Sequence, residues 1–274
     1  MDNMDTNNPE VQTTPPEETE LNHSDKMIGV FTEPAATFEK ASRFPIRTID
    51  WFLPFLILMI LVAVTQIIVM SNPEIFYQAK EERVAQMRQT FDEMVQKGQM
   101  TQDQANEQMN RIEERFAQSR SATGYIIQTV SILIIGFIFF FIVTGIYFLF
   151  AKFIFKDEGA FNSALLANGL TAYITAIEVI LAAILSLMFG RLLNDVSVAS
   201  LINADKFSFV GFILGKLDII TIWAFIVVSI GLSKMFKSKS TGKYYGMVFG
   251  LWIGWSLIIF FLAKAVPFLK FLVR

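Results

Sequence analysis

Apolar and polar positions alternate along this chain by whole segments rather than by turns. Trp51–Met70 is a run of twenty residues without a charge, with Trp51 at its start and Pro54 in its first turn. Ala122–Ala151 holds thirty residues without a formal charge, and within it 125–150 is read as a second span. Two more runs cover 165–189, broken by Glu178, and 244–262. Another covers 212–232, where Lys216 and Asp218 interrupt the start, and Phe207–Leu214 ahead of it is read as resting in the interface. Apolar runs of about 18 or more residues are long enough to cross a bilayer. The pattern predicts an all-α membrane protein, a helical bundle of five spans.

Between the first two runs the period shortens. In the insert 71–124, Val84, Met87, Phe91, Met94 and Val95 form one helical stripe, and Ala105, Met109, Ile112 and Phe116 form another. Gly98 marks a helix stop, and Thr101 with Gln104 is a capping-box pattern that restarts the chain. The insert therefore reads as an extramembrane antiparallel helical hairpin, coiled-coil-like, with its stripes packed together. A docking surface for a protein partner is the functional reading of the same stripes.

The flanks differ in kind. Residues 1–26 read as a disordered acidic tail, and 27–50 as an amphipathic element at the membrane surface or a short packing helix at the mouth of the bundle. There Pro34 opens a helix carrying Phe38 and Ala41, and Phe44-Pro45 ends it. Residues 263–274 form a basic tail.

Composition sharpens this picture. Hydrophobic residues make up 53% of the chain and Phe alone contributes 28. Outside the acidic tail and the insert, 15 bases stand against nine acids, which suits anionic lipid headgroups. Lys234, Lys237, Lys239 and Lys243 gather in the last turn as headgroup contacts. No cysteine is present and His23 is the single histidine, so disulfides, thiolate chemistry and Cys/His zinc sites are excluded. The first 30 residues show no basic segment followed by an apolar one, so insertion is expected to rely on the first span.

Candidate chemistry is sparse. Glu178 is the one ionisable residue in mid-span, and such residues are functional candidates by default. It reads as a structural hydrogen-bonded group, as part of an ion or proton path, or as the lining of a wet cavity. Asp218 reads as the anion at a helix start, with a ligand site as the other reading. Gly242, Gly246, Gly250 and Gly254 recur every fourth residue and line one helix face, which lets helices approach closely in lipid. The neighbour is another span of the same chain, the preferred reading, or a second copy. No catalytic constellation, phosphate loop or metal motif is found. No enzyme activity, cofactor, metal or nucleic-acid partner is expected.

Several segments together carry a family resemblance. Pro34 and Phe38 ahead of the first span, Asp218-Ile219-Ile220-Thr221-Ile222-Trp223, Gly231-Leu232-Ser233 and the lysine-rich turn before the last span resemble the Yip family of Ypt/Rab-interacting membrane proteins, and its bacterial members most. The likeness runs from Met27 to Leu262, with the helical insert between. It implies a five-span bundle in the cell membrane with a cytosolic amino terminus. For eukaryotic members it implies vesicle trafficking with small GTPases. Their Asp-Leu-Tyr-Gly-Pro segment is missing here, so Rab binding is not carried over. The sequence thus points to a non-enzymatic protein that scaffolds membrane components. A small transporter or channel subunit using Glu178 is the alternative.

Overall fold

The computed structural model describes residues 19–266, and among them every regular element is helical. Two short helices, α1 (His23–Thr32) and α2 (Pro34–Ala41), precede the first long one, α3 (Thr48–Ser71). A paired unit follows, α4 (Pro73–Gln96) and α5 (Gln102–Ser119). The chain then enters α6 (Ala122–Leu149), which runs on through a π turn at Phe150–Ile154, and α7 (Phe161–Phe189). Two single-turn pieces, α8 (Val198–Leu201) and α9 (Phe209–Leu214), lead into α10 (Ile219–Met235) and α11 (Gly242–Ala265). Four of these, α3, α6 with its π turn, α7 and α11, are long and apolar enough to cross a membrane, and α10 is a shorter apolar helix.

Helix α7 is the axis of the bundle. Its most extensive contact is with α3, and its next with α10. Trp51 lies beside Gly169 and Glu74 beside Gly190, so α3 and α7 run parallel. Gly169 makes the contact possible: a Cβ there would sit 2.7 Å from Trp51 Cα and carbonyl oxygen. Phe55, Leu58, Phe140, Leu165, Ala172 and Ala176 fill the seam between α3, α6 and α7. A larger core joins α1, α2, α7, α10 and α11, with Phe38, Leu170, Ile174, Leu232 and Tyr244 completely buried.

The amino-terminal segment departs from the sequence reading. The expected disordered tail spans residues 1–18, which lie outside the described residues, and 19–26, where the structure differs. Helix α1 starts at His23, and Asn22 and Asp25 form a capping box. The pattern is visible in the sequence, but the surrounding Asn, Glu and Pro masked it. Lys26 is buried and its ammonium lies 2.7 Å from Asp50 Oδ2, in the first turn of α3. The His23 ring closes the arrangement, with Nε2 hydrogen-bonded to the Tyr173 hydroxyl at 2.7 Å and Nδ1 3.5 Å from Asp50. Of the two readings of 27–50, the packing one fits: Val30, Phe38 and Ala41 are buried, and α2 lies against α10. The Phe38 ring rests on Gly231, where a Cβ would come within 2.9 Å.

Two further boundaries shift. The predicted continuous segment 212–232 is broken, because α9 ends at Leu214 and Asp218 caps a new helix. The carboxylate at 218 favours capping a new helix over continuing an apolar one at that point. In the insert, α4 and α5 lie against each other, and Phe91 and Ala105, one residue from each predicted stripe, are buried. Gly98 holds φ of 66°, the left-handed value that ends a helix, and Thr101 with Gln104 forms the capping box that opens α5.

Candidate functional site

One end of the bundle is closed by residues 190–218, and the carboxylates singled out in the sequence meet beneath it. Asp218 is buried, and its two oxygens divide the work. Oδ1 accepts the backbone N–H groups of Ile220 at 3.0 Å and Thr221 at 3.1 Å, and Oδ2 accepts that of Val196 at 3.1 Å. It therefore caps α10 and ties the preceding loop to it, in keeping with the preference of carboxylates for helix starts. Glu178 sits one step deeper on α7, where the Thr221 hydroxyl donates to its Oε2 at 3.0 Å. Thr221 thus joins the two acids, its N–H on one and its O–H on the other.

Asp195 is a third carboxylate at this end, one that is not among the candidate residues of the sequence. Its Oδ1 accepts from the Ser197 backbone and hydroxyl, at 3.1 and 2.6 Å, and from the Ser200 hydroxyl. Lys206 donates to Oδ2 at 3.0 Å. Burial alone would raise this carboxyl, but the Ser197 and Ser200 hydrogen bonds and the Lys206 ammonium outweigh it and hold it below the usual carboxylate range. The Asp-x-Ser-x-x-Ser spacing of 195–200 was the available signal. Arg191 completes the cap by donating to the carbonyls of Ser200 at 2.7 Å and Leu201 at 3.0 Å.

This geometry separates the two acids by role. Asp218→Ala would orphan three partly buried N–H groups and should cost about 1–3 kcal/mol. Glu178→Gln keeps an oxygen for Thr221 and should cost under about 1 kcal/mol. Denaturant unfolding of the detergent-solubilised variants measures both, and a larger loss for Glu178→Gln would contradict this assignment.

Among the described residues, no other helix packs against the glycine column. Around Gly246, Gly250 and Gly254 a Cβ would find nothing within 4 Å, and at Gly242 only the Ser240 hydroxyl. The expected intramolecular packing is therefore replaced by an open face. Helix α11 turns Tyr244, Met247 and Val248 to the bundle, a stripe about a quarter turn or more away, and these larger side chains provide the burial.

The lysine turn is divided as well. Lys234 pairs with Glu39 at 2.6 Å and Lys243 with Asp157 at 2.7 Å, whereas Lys237 and Lys239 are exposed. The Lys234 hydrogen bond holds the Glu39 carboxyl below its usual range. For Lys234 and Lys243 the headgroup role gives way to tying α10 and α11 to α2 and to the loop ahead of α7.

Three cavities flank the closed end. One of about 200 Å³ lies between α9 and α11, lined by Asp195, Lys206, Lys216, Trp255, Ser256 and Phe260 among others. A second, about 670 Å³, opens between the 190–218 cap and the bases of α4 and α6, and includes Gln66, Gln86, Gln128, Arg191 and Asn203. The third, about 720 Å³, lies under α5 against α6. Glu178 lines none of these three. Among the described residues no group of three or more His, Asp or Glu side chains is placed to hold a metal ion.

Comparison of the chain with family models, with curated proteins and with solved structures returned no match. The apolar helices define a membrane protein built as a helical bundle.

Proposed function

We propose that this is a Yip-like multi-pass protein of the cell membrane that organises other membrane components, with α4 and α5 as its docking arm. The observation that carries this reading is how that arm is built. Phe91 and Ala105 of its two stripes are buried, α4 and α5 lie against each other, its roots adjoin the ends of α3 and α6, and its outer surface is charged and polar. Each arm helix reaches roughly 27–36 Å at 1.5 Å per residue. A stable, solvated two-helix arm anchored to a bundle suits recognition by a folded partner rather than closure over a substrate.

In this reading α10 is the fifth crossing. Its length of 17 residues covers roughly 25 Å, close to the hydrocarbon thickness, with α9 and the loop before it at the interface. The amino terminus then faces the cytosol and the docking arm the opposite side. The transport reading draws less support, because the Glu178 side chain is engaged by Thr221.

Affinity capture from native membranes, using the full chain and a chain with residues 74–121 replaced by a short Gly/Ser linker, tests the proposal. Partners recovered by the full chain and lost with the arm are expected. Recovery of the same set by both chains, or of none by either, would remove the docking role.

A further inference from the structure

The small cavity between α9 and α11 has features that the scaffolding reading does not use. Lys216 stands in the break between α9 and α10 and is partly buried. Its ammonium donates to the Ser256 hydroxyl at 2.9 Å and lies 5.2 Å from the Phe212 ring and 5.3 Å from the Trp252 ring. Those are its contacts among the described residues, and none is a carboxylate. Burial holds this ammonium below the usual lysine range, with Lys206 adding to the effect and Asp195 opposing it. A partly buried cation without an ion-pair partner gains from an anion that can enter beside it.

Two other lysines stand nearby. Lys206 lines the same cavity, already paired with Asp195, and Lys264 lies 4.5 Å over the Phe260 ring that forms part of the wall. The cavity wall itself thus carries two ammonium groups, Lys206 and Lys216, and one carboxylate, Asp195, with Lys264 outside it. The surface just outside is strongly apolar: Trp255 is 66% exposed, Phe209 56%, Val210 65% and Phe261 60%. On membrane-crossing α11, such side chains face acyl chains. At about 200 Å³ the space is below the range of whole-ligand pockets, and it suits a single polar group whose remainder stays outside.

We propose that this cavity seats the phosphate of an anionic phospholipid, held by Lys216 with Ser256 and flanked by Lys206 and Lys264, while the acyl chains lie along Trp255, Phe209 and Phe261. Basic pockets between helices at the membrane interface are where anionic headgroups are recognised, and lysine binds phosphate as a point charge. The site is distinct from the exposed Lys237 and Lys239, which belong to the opposite end of the bundle.

Native mass spectrometry of the full chain in a neutral detergent, with phosphatidylglycerol and phosphatidylcholine of matched acyl chains, tests this. The native protein should retain phosphatidylglycerol roughly five- to ten-fold better. That preference should vanish in Lys216→Met, persist in Lys216→Arg and be unchanged in Lys237→Gln/Lys239→Gln. Equal retention of the two lipids by the native chain would overturn the proposal without recourse to any variant. So would a Lys216→Met protein that keeps the preference. In a third arm, displacement of the lipid by millimolar inorganic phosphate would assign the cavity to a soluble anion instead.

Discussion

Asp50→Ala should destabilise the detergent-solubilised protein by about 3–5 kcal/mol, the largest loss expected for any single polar side chain here. Lys26 is 4% exposed and Asp50 is 2% exposed, so the lysine left behind would have little water to turn to. Glu20, 3.7 Å from the same ammonium, is a poorer partner because it is more exposed and also engages Arg47. Asp50 receives both Lys26 and the edge of the His23 ring, so its loss should also release α1 from α3 and α7. Early trypsin cleavage within residues 20–47 would be the visible sign. The double variant Lys26→Met/Asp50→Leu should recover most of the lost stability, since replacing both partners with apolar groups removes the uncompensated charge. A double variant as unstable as Asp50→Ala would mean that the ion pair itself, rather than the orphaned lysine, sets the stability.

Gly169→Ala should cost about 1–3 kcal/mol or more, although it adds a single methyl group. The added carbon would press on main-chain atoms of Trp51, which cannot rotate away as a flexible side chain could. The strain would fall on the seam between α3 and α7, the most extensive helix contact in the bundle. Gly250→Ala is the matched control, because its Cβ would meet nothing within 4 Å. In a helix the exchange of glycine for alanine is ordinarily favourable by roughly 0.5–1 kcal/mol. Thermal unfolding of both variants should therefore show a loss at 169 and none at 250. An equal loss at 250, together with a change in mass on size-exclusion chromatography, would instead identify the glycine face as a contact between two copies.

The long helices were legible because crossing a bilayer leaves a compositional mark that no tertiary detail can erase. Thr48–Ser71 and Gly242–Ala265 differ from the expected 51–70 and 244–262 by at most three residues at either end. The α4–α5 turn was legible for another reason, since Gly98 and the Thr101–Gln104 pair are purely local signals. The Lys26–Asp50 pair was not, because the partners are 24 residues apart and His23 meets Tyr173 across 150. A pattern along one chain carries no mark of which charges will meet once helices pack. The glycine column shows the reverse error: a periodicity was read correctly, but periodicity identifies a face without saying what lies against it. Among the candidate acids, the cap role of Asp218 followed from its place before an apolar run, whereas the donor to Glu178 could be found only in three dimensions.

The seat of α2 also has a consequence for biogenesis. Phe38 rests on Gly231, and α2 lies against α10, which the ribosome delivers nearly two hundred residues later. At roughly 5–20 residues per second the amino-terminal helices wait on the order of 10–40 s for that surface to be made. Val30 and Phe38, fully buried at the end, are apolar and unhoused throughout this interval. The bilayer surface is available to shelter them, and maturation of this core includes the arrival of α10 and the docking onto it of helices made well before it.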